Sequence, residues 1–259
     1  MSICASRQED EEEETFVWSL EILSKAGDQD TSLITCSSHP NPSANSLRSF
    51  SVDVPHVQQV SDWDCGIACV LMVLRTLGLT HCEIHHLRDL CPTNSIWTID
   101  LAYLLHTFSV AFSYHTTTIG ANPDYCVEAY YREQLRNDIV RVDGLFQKAE
   151  QVGIDVQNRS TSAQEISGLI LSGNYIAVAL VDKFKLSDSL TKDVHDSRSY
   201  IGHYVVLCGF NMNTEEFDMR DPSSKRKHEK ASLKCFEDAH STFGTDHDIL
   251  LEMLKTAIN

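Results

Sequence analysis

Residues Cys65 to Leu74 read Cys-Gly-Ile-Ala-Cys-Val-Leu-Met-Val-Leu, without one charged side chain. A helix that is apolar all round has no face to give to water and must be enclosed on every side. The stretch is also too short for a membrane span, which needs about 20 apolar residues. It therefore predicts a central core helix, running Cys65 to Leu77 and ended by Gly78, that the rest of the chain must cover. With 259 residues, 42% of them hydrophobic, the chain has the material for that cover.

The covering layers are legible further along. Tyr175 to Val181 and His203 to Phe210 are apolar and β-branched, which predicts buried strands. Shorter strands are expected at Ala111 to Thr118, Phe217 to Arg220 and Ile249 to Leu254. Helices are expected at Glu83 to Leu90, Trp97 to Phe108, Asp124 to Leu135 and Val140 to Val152. Ser162 and Glu165 form a capping-box pair that opens a helix to Leu171. Helices come first and strands later, the order of an α+β domain and not of a doubly wound sheet.

Charge divides the chain. The first 50 residues hold nine acidic and three basic side chains, including the run Glu9 to Glu14, and Ser37 to Ser51 is rich in Ser, Asn and Pro. This reads as a largely disordered extension, 1–50, whose short apolar patch Phe16 to Leu23 would dock on the body, followed by a single domain, 51–259. The acidic N-terminus is available to a protein partner. A net charge of −16 excludes a protein that grips duplex nucleic acid by neutralising phosphates. No membrane span or secretory signal is visible. Nine cysteines without a CxxC pair suit reduced thiols, and hence the cytoplasm or the nucleus.

One of these cysteines is placed for chemistry. Cys65 opens the core helix, where unpaired backbone N–H groups and the positive end of the helix dipole favour thiolate. Gly66 clears space for a substrate carbonyl, and Gln59, on the extended segment Val54 to Val60, is a candidate oxyanion donor. A thiolate needs a base and the base an orienter. His203 opens a strand, and Asp221 ends the next one in Arg-Asp-Pro, so an antiparallel pair would bring the two side by side. Cys65, His203, Asp221 and Gln59 are thus the candidate site. Each has a plainer use alone: a buried small residue, a structural histidine, a turn. Cys69, one turn further on, should point into the core. Asp64 and Asp100 read as acids at helix starts, with Asp64 opposing a thiolate next door. His81, Cys82, His85, His86 and Cys91 match no standard zinc spacing.

The Asp-Cys-Gly helix start, the preceding Gln, the His-Tyr-Val-Val-Leu strand and the Asp-Pro turn resemble papain-fold cysteine peptidases, closest to the bacteriocin-processing type with a Cys–His–Asp triad. Longer strings carry a second resemblance. Val-Pro-His-Val-Gln-Gln from Val54, Asp-Trp-Asp-Cys-Gly-Ile-Ala-Cys-Val-Leu-Met-Val-Leu-Arg from Asp62, Ser-Ile-Trp-Thr-Ile-Asp-Leu-Ala-Tyr-Leu-Leu from Ser95 and Phe-Gly-Thr-Asp-His-Asp-Ile-Leu from Phe243 are similar to the plant guanylyl cyclase 1 family. That resemblance implies conversion of GTP to cyclic GMP and pyrophosphate, dependent on Mg²⁺ or Mn²⁺.

The two resemblances imply different reactions. A nucleotide cyclase usually holds two metal ions with paired carboxylates, and no such Asp pair or Walker-type loop is visible. Lys225, Arg226 and Lys227, followed by His228, form a dense basic cluster just after Asp221 and are the candidate contacts for a triphosphate. A solvated loop is the plainer reading of that cluster. Three functions stay open: guanylyl cyclase, a papain-like thiol hydrolase acting on a peptide or amide, and a non-catalytic binding module.

Overall fold

The structure, a computed structural model, describes residues 48–91, 93–187 and 199–254. Two units divide the chain, Met1–Asn45 and Ser46–Asn259, and every described residue lies in the second. The acid run and the apolar patch Phe16 to Leu23 lie outside the described residues. The sheet begins at β1 (Ser49–Ser51), which pairs antiparallel with Gly209–Asn211. The boundary drawn at residue 50 thus falls inside a strand.

In chain order the other elements are α1 (Cys65–Thr76), α2 (Ile84–Leu90), α3 (Thr98–Thr107), β2 (Phe112–Thr116), a 3-10 turn at Pro123–Val127, α4 (Ala129–Arg132), α5 (Leu135–Val152), β3 (Val156–Asn158), α6 (Ala163–Leu171), β4 (Tyr175–Asp182), α7 (Lys183–Ser187), β5 (Gly202–Asn211), β6 (Glu216–Arg220), β7 (Glu229–Ser232), α8 (Leu233–His240) and β8 (Ile249–Met253). The strands form one sheet in the order β3-β2-β8-β4-β5-β6-β7, with β1 added on β5. Only the β2–β3 pair is parallel among the described strands. This is the expected α+β architecture, a helix opened by a cysteine and packed on a predominantly antiparallel sheet.

Alternation along the central strands explains why both faces of the sheet are covered. On β4, Ile176, Val178 and Leu180 join Ile67, Leu71 and Leu74 of α1 in one core. Ala177, Ala179 and Val181 turn to the opposite face and pack with Ile166 and Ile170 of α6 and Phe236 of α8. Every residue of α1 from Cys65 to Leu74 is buried, as its composition demands. Each fully buried Ile or Leu contributes roughly 1.5–3 kcal/mol, so this helix is a major anchor of the fold.

Local chemistry sets the ends. Ser162 Oγ accepts from Glu165 N at 3.2 Å and opens α6, and Ser232 Oγ does the same for Cys235 N and α8. Asp100 accepts from Trp97 N at 2.8 Å at the start of α3 and is ion-paired with Arg141 of α5. Three expectations are corrected. The helix expected from Asp124 to Leu135 is two short pieces, because Pro123 opens a 3-10 turn and Glu128 is extended. The helix expected from Val140 starts at Leu135. The elements β3, β7 and α8 were not anticipated. No described helix is long and apolar enough to cross a membrane.

Candidate active site

The segment before α1 is laid along the edge of β6 by four contacts in sequence. Val52 N donates to Cys208 O at 2.8 Å, and Arg220 Nε donates to Val54 O at 2.8 Å. The His56 ring Nε2 lies 2.9 Å from Asp221 O, and Gln59 N donates to Pro222 O at 2.9 Å. Asp64 then closes the loop: its Oδ1 accepts from Val60 N at 3.1 Å and Ser61 N at 2.9 Å. Its other oxygen stands 3.7 Å from Arg88, whose guanidinium lies over the Trp63 ring. The charge expected to oppose a thiolate is thus turned toward loop amides and a cation. The chain enters α1 at Cys65 directly beside the β5–β6 pair.

His203 lies at the start of β5 and is buried to 3% exposure; Asp221 follows β6. His203 Nε2 is 2.7 Å from Asp221 Oδ1. The same oxygen accepts from Ser223 N at 2.7 Å and Ser223 Oγ at 2.8 Å, so three donors fix its position. Cys65 lies close enough to His203 to help raise its pKa. His203 and Asp221 therefore meet as the antiparallel pairing of their strands suggested, with Cys65 near His203 at the start of α1.

Burial alone would push His203 toward its neutral form. The hydrogen bond that His203 donates to Asp221 and then the contact with Cys65 overcome this and carry its pKa up to about 9. Burial would raise Asp221, but His203 and the Ser223 donors hold it down at about 2. At neutral pH the group near Cys65 is therefore a cation held by a carboxylate.

The remaining candidates are placed as follows. Gln59 Nε2 donates to Ser61 O at 2.6 Å, and its Oε1 is buried without a partner among the described residues. Cys69 is fully buried, and burial pushes its thiol well up. Gly66 does not clear space for a carbonyl. A Cβ there would lie 2.8 Å from Leu101 Cδ1 and 3.0 Å from Tyr204 Cδ2, so its role is close helix packing. Lys225, Arg226, Lys227 and His228 are exposed on the loop after Asp221, with Arg226 paired to Glu229 at 2.9 Å. Trp97 packs against Tyr131 with ring centroids 5.2 Å apart, in the core. No group of three or more His, Cys, Asp or Glu among the described residues is arranged to hold a metal. Cys65, Cys69, Cys82, Cys91, Cys126 and Cys208 are free thiols.

Sequence reasoning missed the tyrosines around the site. Tyr204 Oη pairs with Thr98 Oγ1 at 3.0 Å beside Gly66, and Tyr131 and Tyr200 both donate to Gly244 O, at 2.7 and 2.8 Å. Only the position of Tyr200 and Tyr204 flanking His203 hinted at this; nothing in the local pattern marks Tyr130 or Tyr131. Ser223, two residues after Asp221 in an Asp-Pro turn, carried a readable signal, since such turns commonly bond the Asp side chain.

Known proteins were compared once this geometry was in hand. Two solved structures are similar in fold: a putative C39-like peptidase from Bacillus anthracis, at 13% identity, covering 79% of this chain and 96% of that one with a TM-score of 0.47, and the peptidase domain of Streptococcus ComA, a bifunctional ABC transporter, at 14% identity, covering 78% and 99% with a TM-score of 0.42. In sequence, the chain is 55% identical over 217 residues to Guanylyl cyclase 1 of Arabidopsis thaliana, covering 82% of this chain and 79% of the relative. The family model described as guanylylate cyclase matches residues 54–251, a span that takes in Gln59, Cys65, His203 and Asp221. The chain belongs to the guanylylate cyclase family.

Proposed function

We propose that the chain converts GTP to cyclic GMP and pyrophosphate, with Cys65, His203 and Asp221 as its reactive centre. The observation that carries this reading is kinship: the 55% identity to the Arabidopsis cyclase extends over 217 residues. Cyclisation forms a bond from the ribose 3′ oxygen to the α-phosphorus and breaks the bond to the β-phosphate oxygen. The 3′ proton needs an acceptor and the departing pyrophosphate needs positive charge. Cys65 is the proposed acceptor, and protonated His203 supplies positive charge near it. Lys225, Arg226 and Lys227, on the loop that leaves Asp221, extend that charge toward a triphosphate.

The reaction calls for Mg²⁺ or Mn²⁺. The described residues form no carboxylate cage for one. No step is therefore routed through a metal, and the ion is proposed to arrive with the nucleotide, as Mg²⁺ commonly does.

The test is cyclic GMP formation by the purified chain with GTP and Mg²⁺ or Mn²⁺, quantified by mass spectrometry. Formation above a heat-denatured control supports the reading, and none above it refutes it.

A second reading, thiol hydrolysis of a peptide or amide, is favoured by the 2.7 Å His203–Asp221 bond with Cys65 near His203. It predicts acylation of Cys65 and hydrolysis without any nucleotide requirement.

A further inference from the structure

Neither reading uses His56, which lies between β1 and α1 in the string Val-Pro-His-Val-Gln-Gln. Its ring is half-buried, and Nε2 stands 2.9 Å from Asp221 O across 165 residues of chain. A carbonyl oxygen only accepts, so Nε2 carries the proton and donates. The side chain thus grips the main chain of the residue whose carboxylate holds His203.

The turn after β6 shows why that grip matters. Ser223 N and Ser223 Oγ donate to Asp221 Oδ1, and Ser224 N donates to Asp221 O at 3.1 Å. These donors belong to the turn itself and fix its shape, not its place. Pro222 has no N–H to give. At one end β6 carries the turn, through the pairing of Arg220 with Val206. Beyond that end, two ties reach across to the segment before α1: His56 to Asp221 O, and Gln59 N to Pro222 O at 2.9 Å. That segment has its own anchors, because Val54 and Val57 pack in the core around α1. It opens α1 at Cys65.

We propose that His56 is a positioning residue of this centre, its Nε2–H holding the Asp221 main chain where the carboxylate meets His203 and tying the acid to the segment that delivers Cys65. The proposal rests on Cys65, His203 and Asp221 being the reactive centre, and it holds for either reaction. A hydrogen bond weakens steeply once misaligned. A turn released on the His56 side therefore loosens the 2.7 Å contact between Asp221 and His203.

Two variants isolate the donor. His56→Gln and His56→Met place side chains of similar length at this position, and only Gln can donate to the Asp221 carbonyl. In the full chain, the titration midpoint of the His203 ring is followed by NMR. The rate at which iodoacetamide alkylates Cys65 at neutral pH is followed by mass spectrometry of its peptide. In His56→Met the His203 midpoint is expected to fall and alkylation to slow roughly three- to tenfold, the loss of one hydrogen bond. His56→Gln should keep the parent midpoint and stay within about twofold of the parent rate. Equal behaviour of the two variants overturns the role of His56, whatever their stability in urea, and leaves the centre intact. If alkylation in the parent chain is indifferent to His203→Asn, the centre itself is refuted and the proposal with it.

Discussion

His203 Nε2 and Asp221 Oδ1 stand 2.7 Å apart across 18 residues of chain, joined by the antiparallel pairing of β5 with β6. That contact keeps a buried imidazole charged, and it makes the site sensitive to pH in a stated direction.

Asp221→Asn should lower the His203 pKa from about 9, because burial is then opposed only by the contact with Cys65. Stability follows by linkage. His203, raised in the folded state, adds stability that is complete below about 6.5 and lost as pH rises through about 9. Asp221, depressed, adds stability present above about 3.8 and lost as pH falls through about 2. The stability gap between parent and Asp221→Asn should therefore be widest between these limits, near pH 4 to 6.5. Imidazole titration by NMR and urea unfolding across pH check this; a His203 pKa unmoved by the substitution contradicts it.

Asp248 should make the fold sensitive to alkali. It is buried, takes a hydrogen bond from Tyr114 Oη at 3.1 Å and lies near Asp246; burial first, and then the Asp246 charge, raise its pKa. An acid raised in the folded state loses its stabilising contribution as pH climbs above the ordinary carboxylate range. Asp248→Asn keeps an acceptor for Tyr114 and removes the charge. Relative to the parent, its melting temperature should improve steadily from about pH 4 to about pH 8 and level off above that; a constant offset would contradict the account.

Glu252 on β8 is fully buried, and neither carboxylate oxygen has a hydrogen-bond partner among the described residues. Burial raises its pKa well above the ordinary range. Replacing an unsatisfied buried group by an apolar one of similar size removes a desolvation cost of about 1–3 kcal/mol. Glu252→Leu should raise unfolding stability by roughly that amount in urea titrations. Destabilisation would mean that the carboxyl has a partner or a task.

Gly66→Ala should destabilise by about 1–3 kcal/mol, since the new methyl needs the ends of Leu101 and Tyr204 to move. Tyr204 adjoins His203, so alkylation of Cys65 should slow as well. A variant as stable as the parent, measured by urea unfolding, would show that the helix has room to spare.

Much of this was legible in the residues. The uniformly apolar run from Cys65 could only be a central helix, and the β-branched runs at Tyr175 and His203 could only be buried strands. The meeting of His203 and Asp221 followed from strand pairing, because an antiparallel neighbour returns the chain to the same end of the sheet. What stayed hidden depends on tertiary contact. Gly66 looked like an opening for substrate and is instead a contact for Leu101 and Tyr204, residues distant in sequence. Edge strand β7, Glu-Lys-Ala-Ser, has the composition of a loop and is a strand only because β6 offers it a partner. The helix expected from Asp124 gives way to a 3-10 turn that Pro123 opens and a short helix, Ala129–Arg132.

The central claim is that this centre turns GTP into cyclic GMP. It is tested most directly by quantifying cyclic GMP by mass spectrometry for the parent chain, Cys65→Ala and His203→Asn under identical GTP and metal concentrations. The account predicts product from the parent and at least a hundredfold loss, about 3 kcal/mol of barrier, in each variant. Undiminished product from Cys65→Ala, or none from the parent, would contradict it.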